Sequence, residues 1–86
     1  MQILFSKQFR KRYSKLKAAE RARCNKRLKL FAHNPFDATL NNHPLGGAYK
    51  KYRSINMTGG LRALYEPVRK DAAYFINIGT HAELYE

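Results

Sequence analysis

The side chains best suited to chemistry in this sequence are histidines and arginines placed near short apolar runs. His81 directly follows the apolar run 72–79, and Arg62 lies on the polar side of the neighbouring run 61–68. His43 lies in a loop rich in Asn, Pro and Gly. Imidazole exchanges protons near neutral pH, and the planar guanidinium suits the charge of a phosphate group. These residue types indicate acid–base chemistry on a phosphate ester.

Other kinds of catalytic site are disfavoured. The histidines and the six carboxylates are scattered, without paired His at helical spacing or a Cys cluster, so we expect no metal and no cofactor. Gly46-Gly47 and Gly59-Gly60 belong to predicted turns, not to a phosphate loop between a strand and a helix. What remains is metal-independent chemistry on a phosphodiester, for which RNA offers its own nucleophile, the 2′-OH. The enzyme need only align the strand, move two protons and neutralise the phosphate.

The charge distribution indicates a polyanionic partner. The chain has 17 Lys and Arg against six Asp and Glu, a net charge of +11. Residues 1–34 hold eleven of the basic residues and one acidic residue, Glu20, which leaves a net charge of +10 there and +1 in the remainder. Positive charges on one surface repel each other and destabilise the fold, so we expect this surface to serve a function that needs them. We therefore expect residues 1–34 to bind a nucleic acid or an acidic protein. A membrane surface is disfavoured, because no clean apolar face opposes the basic one.

Length and composition predict a single domain over residues 1–86. A hydrophobic content of 44% favours a folded globule over a disordered chain. The apolar runs are too short to span a membrane, and the N-terminal segment lacks the apolar stretch of a signal peptide. The single cysteine, Cys24, excludes an internal disulfide and fits a cytoplasmic location. We therefore expect a cytoplasmic protein of one domain.

The hydrophobic periodicity predicts an α+β fold. Ser6 can cap a helix that continues through Leu16, and a second helix fits Ala18 to about His33 before Pro35 ends it. Strand patterns cover residues 2–5, 49–57, 61–68 and 72–79. The order β-α-α-β-β-β predicts an N-terminal strand and a helical hairpin packed on one face of a mostly antiparallel four-stranded sheet. His81 and Arg62 should converge on the opposite face.

Two finer expectations follow from local rules. The turn Thr58-Gly59-Gly60 should use glycine at positive φ, as tight hairpins do. Strict alternation along the last strand should place its residues on two faces, with Tyr74, Ile76 and Ile78 on one and Phe75 and Asn77 on the other. By the same rule, Arg53 shares a side with Ile55 and could brace the helices.

Four segments together resemble a known family. They are His43-Pro44-Leu45-Gly46-Gly47, Tyr49-Lys50-Lys51-Tyr52-Arg53, Leu61-Arg62-Ala63-Leu64-Tyr65 and Ile78-Gly79-Thr80-His81-Ala82-Glu83-Leu84-Tyr85. They resemble the RelE/YafQ superfamily, the toxins of bacterial and archaeal type II toxin–antitoxin systems. The resemblance covers essentially the whole chain, and the closing Gly-Thr-His-Ala-Glu-Leu-Tyr points to the YafQ-like branch.

The resemblance implies a fold, an activity and partners. The fold would be RelE-like, of the microbial RNase type. The activity would be a metal-independent mRNA endoribonuclease (an mRNA interferase), acting on the translating ribosome, so mRNA and ribosome are expected partners. A cognate acidic antitoxin would silence the toxin, and DNA would be reached only indirectly through that antitoxin.

Residue roles also follow from the resemblance. His81 matches a histidine used in proton transfer, Arg62 a phosphate-contacting arginine, His43 a loop histidine that is the candidate base, and Tyr85 an aromatic that stacks on a base. The remaining RNA-binding candidates are Lys50, Lys51, Arg53 and Asn56. Two positions depart from the family pattern, with Asn56 where a strand histidine is frequent and Gly60-Leu61 where an acidic residue and a tryptophan are frequent. The general base therefore stays open, with Glu66 as an alternative.

Simpler interpretations stand beside these. Tyr85 could pack the C-terminus, because packing and stacking use the same ring. At the level of function, one alternative is a ParE-like toxin of the same fold acting on DNA gyrase. Another is a non-catalytic basic module that binds RNA or the ribosome, which would have no use for His81.

Overall fold

The computed structural model describes residues 1–85 and shows a helical hairpin packed on a sheet. The α-helices are α1 (Lys7–Ser14), α2 (Ala18–His33) and α3 (His81–Tyr85). The strands are β1 (Gln2–Phe5), β2 (His43–Pro44), β3 (Arg53–Asn56), β4 (Arg62–Arg69) and β5 (Ala72–Gly79). Short 3₁₀ turns at Ala38–Leu40 and Gly47–Tyr49 complete the elements. The α+β prediction is confirmed.

The sheet has five strands in the order β1-β5-β4-β3-β2. β1 runs parallel to β5, and the other three pairs are antiparallel. The predicted count of four strands is wrong, because His43–Pro44 pairs with β3 and places His43 opposite Ser54. A two-residue strand is too short to show an alternating pattern, so only its partner reveals it.

Local capping explains the first helix. The Ser6 hydroxyl accepts a hydrogen bond from the Phe9 backbone N–H at 3.0 Å, as expected for an N-cap. The same hydroxyl donates to the Ile76 carbonyl at 2.8 Å, which ties the start of α1 to β5. α1 ends at Ser14, two residues before the predicted end, whereas the bounds of α2 are as predicted. No helix within residues 1–85 is long and apolar enough to cross a bilayer.

The core lies between the helical hairpin and one face of the sheet. Its helical members include Phe9, Cys24 and Phe31, and its strand members include Ile55, Ala63, Tyr65, Phe75 and Ile78. Phe75 and Ile78 share this core although their positions have opposite parity, because Ile76 is an extra residue between the pairs Leu64↔Asn77 and Tyr65↔Phe75. The expected strict alternation along β5 is therefore wrong, and a β-bulge is the reason.

Two turns differ from expectation. β3 begins at Arg53 because residues 47–49 form a 3₁₀ turn in which Gly47 has a φ of +59°. In the β3–β4 connection, the Thr58 hydroxyl accepts hydrogen bonds from the backbone N–H groups of Gly60 (3.3 Å) and Leu61 (3.1 Å). Among the described residues Gly47 is the one glycine at positive φ, so the predicted left-handed glycines of this turn are wrong. The Thr58 side chain shapes the turn instead.

Candidate active site

A reciprocal pair of hydrogen bonds fixes the start of α3. The Thr80 backbone N–H donates to Glu83 Oε1 at 2.8 Å, and the Glu83 N–H donates to Thr80 Oγ1 at 3.2 Å. This arrangement is a capping box, which satisfies backbone donors that a helix start leaves free. The pKa of the Glu83 carboxyl is held below its usual value, chiefly by the hydrogen bond from the Thr80 backbone N–H and next by the Thr80 hydroxyl. The residue that follows Thr80, His81, is therefore held in a defined place.

His81 and Tyr85 form an aromatic pair on one side of α3. They are four residues apart, and their ring centroids are 4.7 Å apart at an interplanar angle of 51°. Tyr85 also meets Tyr49 edge to face at 5.4 Å, and the Tyr49 hydroxyl lies 3.5 Å from the Leu84 carbonyl it donates to. His81 is exposed and Tyr85 is half-buried. An exposed imidazole beside an aromatic ring can exchange a proton next to a surface suited to a nucleobase.

Arg62 lies at the same end of the sheet as the start of α3. It is opposite Gly79 on β5 and opposite Asn56 on β3. Because Ala63, the next residue, is buried in the hairpin-side core, Arg62 lies on the face away from the helical hairpin. His81 comes two residues after Gly79. The structure thus brings Asn56, Arg62 and the start of α3 to one end of the sheet.

A second arginine reaches this end from α1. Arg12 donates from Nη1 to the Ile78 carbonyl at 3.3 Å. A Cβ at Gly79 would lie 3.0 Å from Arg12 Nη1 and 3.1 Å from Glu83 Oε1, so glycine leaves room for both side chains. Sequence reasoning missed Arg12, because no local pattern signals a contact across 66 positions. It also missed the cap, although the spacing Thr80-x-x-Glu83 is a known signature.

His43 lies on β2, at the edge of the sheet. Its Nδ1 is 2.8 Å from the Asn41 carbonyl oxygen. A carbonyl can only accept, so Nδ1 carries a proton in this hydrogen bond, and in the neutral imidazole the lone pair is then on Nε2. That tautomer can take up a proton. β3 lies between β2 and β4, and His43 is opposite Ser54, whose partner on β4 is Leu64. The backbone of His43 is therefore about two strand spacings, roughly 10 Å, from β4, and Arg62 lies a further two residues along that strand, roughly 7 Å.

Arg53 lies on the hairpin side of the sheet, opposite Tyr65. Its Nε donates to Asn42 Oδ1 at 2.8 Å, and Asn42 Nδ2 donates to the Tyr65 hydroxyl at 2.8 Å. Its guanidinium carbon is 5.3 Å from the centroid of the Phe36 ring. The structure therefore does not bring Arg53 together with Arg62.

Three further candidates, Lys50, Lys51 and Glu66, lie outside α3. Lys50 and Lys51 are exposed and follow the 3₁₀ turn that carries Tyr49, the partner of Tyr85. Glu66 is four residues along β4 from Arg62, about 13 Å at the usual rise of a strand. The structure does not bring Glu66 to the His81 end. Among residues 1–85, no three His, Cys, Asp or Glu side chains lie close enough together to hold a metal ion.

Comparison with known proteins decides the family. The family model described as "Bacterial toxin of type II toxin-antitoxin system, YafQ" matches residues 1–86. The chain belongs to the YafQ toxin family. No curated protein matches this YafQ-family sequence.

Solved structures agree with this membership. YafQ from E. coli strain BL21(DE3) is 29% identical, with a TM-score of 0.74 over 98% of this chain and 97% of that one. A chain of the E. coli DinJ-YafQ complex is 25% identical, with a TM-score of 0.68 and the same coverage of 98% and 97%. A YoeB/ParE toxin from Agrobacterium tumefaciens, 19% identical, has a TM-score of 0.77 over 94% of this chain and 99% of that one, which shows a shared fold. The RelE/YafQ resemblance seen in the sequence is confirmed.

The geometry also explains the closing segment that carried the resemblance to the YafQ-like branch. Gly79 leaves room for Arg12 and Glu83, and Thr80 and Glu83 cap the helix. His81 and Tyr85 then form a pair on one side of α3. In this YafQ-family chain, the closing segment thus encodes a short helix whose start and aromatic pair are both fixed.

Proposed function

We propose that this YafQ-family toxin is a metal-independent endoribonuclease that cleaves mRNA on the translating ribosome. The observation that carries the proposal is the pairing of the exposed His81 with Tyr85 at 4.7 Å on a capped helix. Arg62 lies opposite Gly79 at the same end of the sheet. A proton donor, an aromatic surface and a cation are the parts that transesterification of RNA requires.

The proposed reaction uses the substrate's own nucleophile. The 2′ oxygen attacks the adjacent phosphorus, the bond from phosphorus to the 5′ oxygen breaks, and a 2′,3′-cyclic phosphate and a 5′-OH form. His43 accepts the 2′ proton through Nε2, the nitrogen left free by the Nδ1 hydrogen bond to Asn41. His81 donates a proton to the 5′ oxygen, and Arg62 offsets the charge that develops on the phosphate. Hydrolysis of the cyclic product would yield a 3′ phosphate.

Binding of the strand is assigned to the surrounding side chains. Tyr85 stacks on a base, and Asn56, opposite Arg62, contacts the strand as a neutral amide. Lys50 and Lys51, both exposed, contact phosphates beside the 3₁₀ turn. Arg53 is left out of this set, because its guanidinium is engaged with Asn42 and Phe36 on the other face of the sheet.

The proposed protein partner is an acidic antitoxin. A solved structure of the E. coli DinJ-YafQ toxin-antitoxin complex contains that toxin together with its antitoxin. In the present chain, residues 1–34 carry a net charge of +10, which suits a negatively charged segment. We infer that the antitoxin covers part of α1 and α2.

Primer extension on an mRNA translated in a reconstituted system, with and without the toxin, tests this function. We expect cuts within the reading frame that disappear when translation is blocked before initiation. The shared fold with the YoeB/ParE toxin makes action on gyrase the competing function, so a gyrase cleavage assay is run on the same preparation. Trapped gyrase–DNA complexes together with intact mRNA would overturn the proposal, and so would RNA binding without any cut.

A further inference from the structure

A basic cavity of about 730 Å³ lies between α2 and the turn that joins β3 to β4. Its volume is in the range of pockets that bind small ligands. Arg23, Lys26 and Arg27 line it from α2. Thr80, the N-cap of α3, also lines it, so the cavity reaches the residue next to His81. The reaction proposed above does not use this cavity.

The cations of the cavity come from one side of one helix. Arg23, Lys26 and Arg27 follow the i, i+3, i+4 spacing that places side chains on a common face. Arg23 and Lys26 are exposed, whereas Arg27 is half-buried and donates from Nη1 to the Thr39 carbonyl at 3.1 Å. A guanidinium has five N–H donors, so Arg27 is oriented by this bond and keeps others for a ligand. Among residues 1–85, Glu20 is the one carboxylate that lines the cavity.

The opposite wall is open at two glycines. It is formed by Met57 and Leu61, both buried, together with Thr58, Gly59 and Gly60. A Cβ built on either glycine would meet no atom within 4 Å. The open space at these glycines, beside a row of cations, leaves room for a flat or ring-shaped group attached to a phosphate, such as a ribose or a base.

We propose that this cavity holds one nucleotide of the RNA strand next to the position that is cut. The inference rests on the proposed function, because it takes the occupant to be the substrate RNA. Arg23 and Lys26 contact the phosphate, and the wall of Gly59, Gly60 and Leu61 receives the sugar or base. An acidic peptide could pair with the cations, but the open glycine wall and the contact with Thr80 beside His81 favour a strand that continues into the active site.

The first test compares two charge-matched double variants. R23Q/K26Q removes the two exposed cations of the cavity, and K11Q/K29Q removes two exposed cations of the helices that do not line it. Binding is measured to an RNA oligonucleotide with a 2′-deoxy sugar at the cleavage position, which cannot be cut. For R23Q/K26Q we expect about tenfold weaker binding, and a salt slope lower by about 0.7, the contribution of one neutralised phosphate of a single strand.

The second test narrows the cavity without changing its charge. Gly60→Phe places a ring in the open space, and Gly60→Ala is its control, because both lose the same glycine. We expect Gly60→Phe to weaken binding of the RNA severalfold and Gly60→Ala to leave it near the wild-type value. Shortening the oligonucleotide from one end should remove the difference in RNA affinity between R23Q/K26Q and the wild type, whereas shortening it from the other end should leave that difference.

Three outcomes would overturn the inference. K11Q/K29Q could weaken RNA binding as much as R23Q/K26Q, which would mean that the whole basic surface attracts RNA and that the cavity is not a specific site. R23Q/K26Q could weaken binding of an acidic antitoxin and not of RNA. Trimming could have the same effect from both ends. Cleavage tests the proposed function separately: a protein that binds RNA through this cavity but never cuts it has the RNA-binding site and lacks the proposed function.

Discussion

Thr80 and Glu83 exchange two hydrogen bonds across the first turn of α3, at 2.8 Å and 3.2 Å. A helix of five residues is far below the length at which isolated helices are stable in water. The capping box fixes the first turn of α3, and the contact of Tyr49 with Tyr85 ties its other end to the rest of the domain. The position of His81 therefore depends on side chains that do no chemistry themselves.

His81→Ala should remove most RNA cleavage and leave RNA binding nearly intact. Binding comes mainly from Lys and Arg contacts to phosphates, whereas cleavage needs a proton delivered to the 5′ oxygen. The cleavage step should slow by about 10²–10⁴-fold, or about 3–5 kcal/mol. Single-turnover cleavage of ribosome-bound mRNA measures this, and His33→Ala, an exposed histidine at the end of α2, is the control. A His81→Ala variant that cuts within about threefold of the wild type would contradict the mechanism.

Arg62→Ala should slow cleavage and also weaken binding. The guanidinium meets phosphate charge in the bound substrate as well as in the transition state, so both quantities depend on it. The loss in the cleavage step should exceed the loss in affinity, because the charge on the phosphate grows during the reaction. Arg69→Ala, at the far end of the same strand, is the matched control. If Arg62→Ala lowers RNA affinity and overall cleavage efficiency by the same factor, Arg62 contributes to binding and not to stabilisation of the transition state.

The stability that Glu83 gives to α3 should be lost in acid. The folded-state pKa of Glu83 is lowered, chiefly by the Thr80 backbone N–H. Its contribution is therefore fully present above the unfolded pKa of about 4.3 and is lost as the pH falls through the lowered folded value. Hydrogen exchange of the α3 amides against pH, compared between the wild type and Glu83→Gln, measures this. The two proteins should differ at pH 7 and converge in acid, and Glu66→Gln, with the same change of charge, should follow the wild type.

Association with an acidic antitoxin should slow as salt rises. Residues 1–34 carry a net charge of +10, and steering by such a field weakens as ions screen it. Stopped-flow association of the purified toxin with its cognate antitoxin, at several ionic strengths, measures the rate. K11Q/K29Q should lower both the rate and its salt dependence. A rate that does not change with salt would show that the basic helices have another purpose.

The sequence by itself determined what depends on neighbouring residues. The N-cap at Ser6, the stop before Pro35 and the run 72–79 predicted α1, α2 and β5, because capping, proline geometry and periodicity act over a few residues. The closing segment 79–85 also indicated the family, since its glycine, cap and aromatic pair are all local. The net charge of the helices, a sum over residues, was likewise fixed by composition.

Only the tertiary structure decided which of these parts meet. The bulge at Ile76, which only the pairing of β5 with β4 reveals, puts Phe75 and Ile78 into one core. Arg12 reaches the end of β5 through a hydrogen bond to the Ile78 carbonyl that spans 66 positions. Such contacts join segments that are distant in the sequence, so they depend on how those segments pack and not on a local pattern.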